Sequence, residues 1–244
     1  MLGKMGSGKT ACMVREIIKN IDDKINYTNI KIFNKKARYV LINRDMIIKK
    51  ELLSTTKKGE PNYKYMLNEE FWKNLRKEKK YINVILDEAH TLVDSRRAMS
   101  KENKIMMDFI ALLRRILGDS DSDYGELILI TQLGRRLDVI ARDLVNNVHY
   151  HICHYKKRCN KCKFAIYENN EQLEKMKICP VCNNNKFIKS NFIIEKFEFE
   201  NVEKCSIWID TGIKNYFKHY YITDIEKYFK FYDTFQWENL ISEY

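Results

Sequence analysis

Gly3-Lys4-Met5-Gly6-Ser7-Gly8-Lys9-Thr10 has the pattern Gly-x-x-x-x-Gly-Lys-Thr, the phosphate-binding loop (P-loop) of nucleotide-binding proteins. A triphosphate needs several backbone N–H donors at close range, and glycines allow this approach because they carry no side chain. We expect Lys9 to reach the β- and γ-phosphates of ATP and the Thr10 hydroxyl to bind Mg²⁺. A chance glycine turn is the alternative, but the complete eight-residue pattern is specific.

A helix is predicted to follow the P-loop from about Lys9 to Asn20 or Asp23. Its free N–H groups and positive dipole end would favour a bound anion. A buried strand normally precedes a P-loop, yet only Met1 and Leu2 stand before Gly3. Three explanations stay open: a fragment, a true start further upstream, or a strand contributed by a neighbouring subunit.

Two acidic residues follow an apolar run in Tyr81-Ile82-Asn83-Val84-Ile85-Leu86-Asp87-Glu88-Ala89-His90. This order predicts a buried parallel strand whose carboxyl end presents carboxylates to the phosphate site. Asp87 would hold the Mg²⁺ shell, and Glu88 would orient and deprotonate the attacking water. A strand end with solvated acids is the better interpretation of this stretch alone, but not of this stretch together with a P-loop.

A second apolar run, Glu126–Gln132, also ends in polar residues and is predicted to lie beside the Asp87 strand. Gln132 would then contact the γ-phosphate or its water, the alternative being an ordinary strand-end amide. Arg114 and Arg115 end a predicted helix at Lys101–Leu117. We favour placement at the negative helix end for them, and we keep an arginine finger reaching a neighbour's γ-phosphate as the second interpretation.

The remaining elements follow from periodicity and turn residues. Strands are predicted at Ile25–Phe33, Ala37–Ile42, Val148–Tyr155 and Phe187–Glu200, helices at Asn68–Lys77 and Leu133–Asn147, and a loop around Lys57–Pro61. The strands of 187–200 are expected to return to the sheet. The tail is rich in aromatic residues, and we expect it to pack on the core or on a partner subunit.

Four cysteines form two Cys-x-x-Cys pairs, Cys159/Cys162 and Cys179/Cys182, separated by sixteen residues. This spacing is typical of a structural Zn²⁺ site, in which the ion folds a segment too small to have its own core. Disulfides are disfavoured in an intracellular protein, and redox chemistry does not need two pairs. Lysines around the first pair suggest a DNA-contacting tip, with simple solvation equally favoured.

The chain has 244 residues and a net charge of +11, with 45% hydrophobic residues. It is long enough for one sizeable core and a small appendage. The charge favours nucleic acid over a membrane as partner, although a lysine-rich solvated surface explains it equally well. The sequence has no signal peptide and no apolar run that could span a membrane, so we expect a cytoplasmic protein, in the host cytoplasm if it is viral.

The sequence resembles the zonular occludens toxin-like ATPases of phages and other mobile elements, a branch similar to FtsK–HerA DNA-pumping ATPases. The resemblance rests on the P-loop, the Tyr27-Thr28-Asn29 stretch, the Asp87-Glu88 strand, the Thr131-Gln132 strand end and a late Tyr232-Asp233-Thr234. It covers roughly residues 1–155 and the final strands and tail. The missing first strand and the cysteine insertion depart from the family pattern.

The resemblance implies a RecA-like P-loop NTPase, an α/β fold with a mostly parallel sheet flanked by helices, here with an inserted zinc ribbon. Three parts are predicted: an ATPase core at 1–155, a zinc ribbon at 156–186, and returning strands with the tail at 187–244. The family also implies ATP hydrolysis, a homo-oligomeric ring (often a hexamer) and work in virion assembly or DNA packaging. We therefore expect double-stranded DNA as the substrate, with a capsid- or portal-like protein as a candidate partner. Because no membrane span is seen, packaging or DNA transfer is favoured over export.

Two other functions stay open. Asp87-Glu88-Ala89-His90 also resembles the signature of DEAH-box helicases, but those enzymes need a second RecA-like domain and the chain has no room for one. A zinc-ribbon DNA-binding adaptor that holds ATP only as a structural ligand is the other alternative. Measuring ATP turnover with and without DNA distinguishes these functions from a motor.

Overall fold

The computed structural model describes residues 1–19, 24–55, 61–77, 81–92, 101–119, 122–123, 125–132, 139–162, 164–169 and 177–233. The chain forms two compact units: Met1–Glu16 with Val145–Tyr232, and Ile17–Leu144 with Asp233–Tyr244. These unit boundaries differ from the predicted ones, which lie between residues 155 and 156 and between residues 186 and 187. The division into ATPase core, zinc ribbon and returning strands therefore stays a prediction.

Helices and strands alternate along much of the chain. The helices are α1 (Lys9–Lys19), α2 (Arg44–Ile47), α3 (Glu69–Lys77), α4 (Ala89–Leu92), α5 (Lys101–Leu117), α6 (Val139–Asp143) and α7 (Val202–Thr211), with a 3₁₀ helix at Ile225–Phe231. The strands are β1 (Ile25–Thr28), β2 (Tyr39–Leu41), β3 (Ile48–Thr55), β4 (Pro61–Leu67), β5 (Ile82–Leu86), β6 (Gly118–Asp119), β7 (Ser122–Asp123), β8 (Gly125–Leu129), β9 (Val148–Cys159), β10 (Ala165–Asn169), β11 (Phe187–Phe199) and β12 (Lys218–Ile222).

The unit built on Ile17–Leu144 contains a four-stranded parallel sheet in the order β2-β1-β5-β8. Every residue of β5 is buried, as expected for a central strand covered on both faces. The carboxyl ends of β5 and β8 are neighbours because Leu86 pairs with Leu129. This arrangement confirms the predicted α/β fold with a parallel sheet and the placement of Glu126–Gln132 beside the acidic strand.

The core of this unit is centred on Trp72 of α3, whose side chain is only 1% exposed. The Trp72 ring lies 4.9 Å from Phe109 and 5.6 Å from Tyr27, measured between ring centroids. Its Nε1–H donates to the Met46 carbonyl at 2.7 Å, so the polar atom is also satisfied. The indole therefore joins α3, α5, β1 and α2 in one packed cluster.

Some helices and strands in the structure differ from those predicted from the sequence. The predicted strand Ile25–Phe33 ends at Thr28 because the Thr28 hydroxyl accepts from the Ile30 N–H and turns the chain. On either side of the predicted loop around Lys57–Pro61, where no element was predicted, the structure has the antiparallel hairpin β3–β4, most of whose residues are exposed. Residues 20–23, 56–60, 133–138 and 234–244, which include parts of the predicted helices, loop and tail, lie outside the described residues.

The unit containing Met1–Glu16 has an antiparallel sheet in the order β10-β9-β11-β12. The predicted strands of 187–200 form β11, which returns to β9 and β12 in this sheet and is not part of the parallel one. Helix α7 begins at the Asn201 side chain, which accepts from the Lys204 N–H, and ends at Gly212 in the left-handed conformation. None of the described helices is long and apolar enough to cross a membrane.

We predict that Trp72→Ala lowers the free energy of unfolding by roughly 3–5 kcal/mol, because it removes a large buried ring and its hydrogen bond. Urea unfolding followed by far-UV circular dichroism measures the change. Phe33→Ala is the control, since Phe33 is 50% exposed and its loss should change stability by about 0.5 kcal/mol or less. Equal effects of the two substitutions would contradict the central role of Trp72.

Candidate functional site

The P-loop adopts backbone angles that favour glycine. Gly3, Gly6 and Gly8 have φ values of 148°, 73° and 79°, which L side chains rarely adopt. A Cβ atom on Gly3 would lie 2.5 Å from the His151 carbonyl oxygen, and one on Gly8 would lie 2.3 Å from Ile194 Cδ1. The close approach to the β9 backbone thus requires glycine at position 3, and the positive φ values favour glycine at positions 6 and 8.

Lys9 points back into the loop. Its Nζ donates to the carbonyls of Gly3 at 2.8 Å and Lys4 at 3.0 Å, and lies 3.4 Å from the Ser7 Oγ. The side chain is buried, with 7% exposure, whereas Met5 at the loop apex is 81% exposed. An anion in the loop would offer Lys9 stronger, charged acceptors than these carbonyls. Thr10 follows at the second position of α1, where its hydroxyl is predicted to bind Mg²⁺.

The residue before Gly3 is anchored to β9. The Leu2 N–H donates to the His149 carbonyl at 2.7 Å, and the His151 N–H donates to the Leu2 carbonyl at 2.9 Å. Leu2 and Tyr150 thereby form a parallel bridge. Leu2 occupies the place that the last residue of a preceding strand would take, which fixes the start of the P-loop.

The His151 side chain is 1% exposed, and neither ring nitrogen hydrogen-bonds to any residue that the structure describes. Burial, then the charges of Lys196, the amino terminus and Lys9, lower the pKa of His151 well below its usual value. The ring is therefore neutral at physiological pH. A neutral ring adds no positive charge to the surroundings of Lys9.

Asp87 follows β5 directly and is held by Asn29, which follows β1. The Asp87 N–H donates to Asn29 Oδ1 at 2.8 Å, and Asn29 Nδ2 donates to the Asp87 carbonyl at 3.0 Å. Asn29 is buried, so these two bonds replace water contacts and fix the backbone of the acidic residue. The Asp87 Oδ1 also accepts from the Glu88 N–H at 2.9 Å.

Glu88 has a positive φ of 51°, which is strained for a residue with a side chain. Gln132 Nε2 donates to Glu88 Oε1 at 2.9 Å. His90 Nδ1 lies 3.2 Å from Glu88 Oε2 and 3.2 Å from the hydroxyl of buried Thr131. Glu88 is thus hydrogen-bonded to Gln132, which follows β8, and His90 of α4 lies close to its other carboxylate oxygen.

Arg114 and Arg115 lie in the last turn of α5, and both are exposed. The Arg115 carbonyl accepts from Arg76 of α3 at 3.1 Å. Their position at the negative helix end agrees with the favoured interpretation, and a role as arginine finger stays a prediction. Lys9 and Thr10 belong to one unit and Asp87, Glu88 and Gln132 to the other, so the convergence of the two sets on one nucleotide also stays a prediction.

The four predicted metal-binding cysteines come together. The Sγ atoms of Cys159, Cys162, Cys179 and Cys182 all lie within 4.8 Å of one another. Two of these pairs, Cys159–Cys182 and Cys162–Cys179, are 3.5 Å apart. Tetrahedral Zn–S bonds of about 2.3 Å require sulfurs about 3.8 Å apart, so the donor set fits Zn²⁺. All four thiols are free of disulfides.

Polar groups around this cluster favour the thiolate form of one ligand. Burial works to raise the pKa of Cys159, but hydrogen bonds from Asn184 and from the N–H groups of Cys162 and Lys161 lower it to about 6. Asn184 Nδ2 lies 3.5 Å from the Cys159 Sγ. These hydrogen bonds favour the thiolate form of Cys159, which is the form that binds a metal cation.

Sequence reasoning assigned no role to Asn29, His90 or Thr131. Asn29 belongs to the Tyr27-Thr28-Asn29 stretch that carries the family resemblance, and His90 and Thr131 each adjoin predicted site residues. The sequence did offer one signal for Asn29: like Gln132, it is a polar residue that follows strand-forming residues. The hydrogen-bond partner of Asn29, 58 residues away along the chain, became visible only in the structure.

Comparison with solved structures finds similar chains at low identity. The N-terminal domain of zonular occludens toxin from Neisseria meningitidis is 17% identical with a TM-score of 0.45, over 95% of this chain and 97% of that chain. The genome packaging NTPase B204 from Sulfolobus turreted icosahedral virus 2, in complex with AMPPCP, is 15% identical with a TM-score of 0.37, over 61% of this chain and 71% of that chain.

No curated protein matches the sequence significantly. The sequence model of the family described as Zonular occludens toxin (Zot) matches residues 1–189 of the 244 in the chain. Because this match covers well over half of the sequence, the chain belongs to the Zot family.

Proposed function

We propose that this protein is an ATP-hydrolysing motor that moves or packages DNA for a virus or mobile element. The observation that carries the proposal is the holding of two acidic residues at one sheet edge, Asp87 by Asn29 and Glu88 by Gln132, in a chain that begins with a complete P-loop. A solvated strand end would not need two buried or half-buried amides to fix its acids. Membership in the Zot family supports the same function.

Each residue then has a role in hydrolysis. In this proposal the P-loop N–H groups and Lys9 bind the phosphates, and Thr10 and Asp87 would hold Mg²⁺. When bound, Mg²⁺ neutralises the charge that develops on the phosphate oxygens. Glu88 takes the proton of the attacking water. Gln132 donates to the Glu88 carboxylate, so a γ-phosphate that attracts Gln132 would release Glu88 for this task.

The cysteine cluster serves a structural role in this proposal. Zn²⁺ would be held by Cys159, Cys162, Cys179 and Cys182 and would join the end of β9 to the start of β11. The ion would supply folding energy to this segment. The net charge of +11 supports double-stranded DNA as the substrate, and a homo-oligomeric ring with a capsid- or portal-like partner completes the proposed assembly.

We predict that Glu88→Gln lowers the ATP turnover number by roughly 10²–10⁴-fold and leaves ATP binding nearly unchanged, because only the general base is lost. Phosphate release is measured with and without duplex DNA, and nucleotide binding is measured by titration. Glu126→Gln is the control, since Glu126 is an exposed acid on neighbouring β8. We also expect DNA to stimulate wild-type turnover.

Other outcomes select other functions. Tight ATP binding without turnover in the wild-type protein would support the adaptor, and separation of DNA strands would support the helicase. Lys9→Ala is expected to abolish nucleotide binding; unchanged binding would show that the P-loop is not the nucleotide site.

Asn29→Ala is predicted to lower turnover roughly tenfold and to raise the Mg²⁺ concentration needed for half-maximal activity, because two bonds that position Asp87 are lost. Asn34→Ala is the control, since the half-buried Asn34 side chain accepts a local, solvent-exposed hydrogen bond from the Lys36 N–H and none is described to Asp87. The Mg²⁺ dependence is decisive, because a purely structural loss at Asn29 would lower turnover without changing it.

Metal analysis of the purified protein is predicted to find one Zn²⁺ per chain. Cys179→Ser should lose the metal, whereas Cys153→Ala, which changes a cysteine outside the cluster, should keep it. Mass spectrometry of the non-reduced protein provides the second measurement. Paired disulfides without metal would contradict the zinc assignment.

A further inference from the structure

A broad groove lies between the β3–β4 hairpin and helices α3 and α5 of one unit, with a volume of about 1310 Å³. The hairpin contributes Lys49 of β3 and residues 64–67 of β4, and the two helices form the other walls. Proposed roles in nucleotide and zinc binding use none of these residues. Arg115 alone among them has another candidate role, as the alternative arginine finger.

The rim of the groove is positively charged. Six cationic residues line it, against the three carboxylates of Glu69, Glu70 and Asp108: Lys49, Lys64, Lys73, Arg76, Lys77 and Arg115. Of the carboxylates, Glu69 pairs with Lys73 within α3. The rim therefore has an excess of positive charge that favours an acidic occupant.

The floor of the groove is aliphatic. Residues of α5 spaced along one face meet two residues of β4 there: Ile105, Leu112, Ile116, Met66 and Leu67. All but Ile116 are only half-buried. A nucleic acid backbone offers little apolar surface to such a floor, so the combination of an apolar floor and a cationic rim fits an acidic amphipathic peptide better.

The sequence of this chain contains such a peptide. Residues 233–244 read Asp-Thr-Phe-Gln-Trp-Glu-Asn-Leu-Ile-Ser-Glu-Tyr, with three acids and no lysine or arginine in a chain of net charge +11. Trp237, Leu240, Ile241 and Tyr244 are spaced i, i+3, i+4 and i+7, which places them on one face if the segment is helical. Residues 234–244 lie outside the described residues, but Asp233–Tyr244 and the groove belong to the same unit.

We propose that the segment 234–244 docks in this groove of its own chain, with its apolar face on the aliphatic floor and Glu238 and Glu243 toward the lysines of the rim. The acidic charge of the segment matches the cationic rim of the groove, and its apolar residues match the aliphatic floor. The proposal does not depend on ATP hydrolysis, since the groove and the segment are separate from the P-loop, Asp87 and Glu88.

Hydrogen–deuterium exchange of the full-length protein without nucleotide tests this. Amides of 234–244 should exchange clearly more slowly than in a free peptide of the same sequence. Lys49→Glu with Lys77→Glu should speed this exchange roughly tenfold, because two attractions become repulsions. Glu238→Lys with Glu243→Lys should do the same, and combining all four substitutions should restore protection. Lys35→Glu with Lys36→Glu reverses two exposed charges that do not line the groove and should change nothing.

Three results would overturn the proposal. The first is tail exchange that does not respond to the groove variants. The second is protection that disappears on dilution, which would place the segment on a neighbouring copy. The third is a groove variant that weakens duplex DNA binding while tail exchange stays the same, which would make the groove a DNA surface. Circular dichroism confirms that each variant is folded, and ATP turnover measured separately tests the proposed function.

Discussion

The close approach of two glycines to a neighbouring sheet is the constraint on which the P-loop depends. Gly3 meets the backbone carbonyl of His151, and Gly8 meets the end of the Ile194 side chain. A carbonyl cannot move aside as a flexible side chain can, so the first contact is the stricter one. Together with the bridge between Leu2 and Tyr150, it fixes the path of the loop whose N–H groups are proposed to bind an anion.

In contrast to the P-loop, the acidic residues are held by side-chain hydrogen bonds. Strands β1, β5 and β8 are parallel neighbours, so their carboxyl ends share one sheet edge. Asn29 and Gln132 follow two of these strands and hydrogen-bond to Asp87 and Glu88, which follow the third. The positive φ of Glu88 is maintained because the Ala89 N–H donates to the Ile130 carbonyl and the Thr91 N–H to the Glu88 carbonyl.

Much of this arrangement could be predicted from residue patterns. The P-loop, the acidic strand and its neighbour with Gln132 each have a short local signature, and α5 was predicted at Lys101–Leu117 with its observed bounds. Four cysteines at metal-binding spacing predicted their own cluster. A local pattern was sufficient in these cases, because each signature reflects either the conformation that the neighbouring backbone needs or the atoms that a single ligand needs.

Other features depend on distant contacts and left weaker signals. The β3–β4 hairpin is largely exposed, so it lacks the apolar alternation that identifies a half-buried strand. The assignment of β11 to a separate antiparallel sheet depends on its pairing with β9 along twelve residue pairs. Asn29 gained its role from a partner 58 positions away.

Strands β9 and β11 run from the cysteine cluster at one end to the P-loop contacts at the other. Phe187 pairs with Cys159 at the first end, while His151 and Ile194, further along the same two strands, touch Gly3 and Gly8. The separation is roughly 25 Å at the usual rise of a strand. Paired strands resist stretching along their length, so a load applied at the cysteine cluster would reach the P-loop backbone at the other end of these two strands.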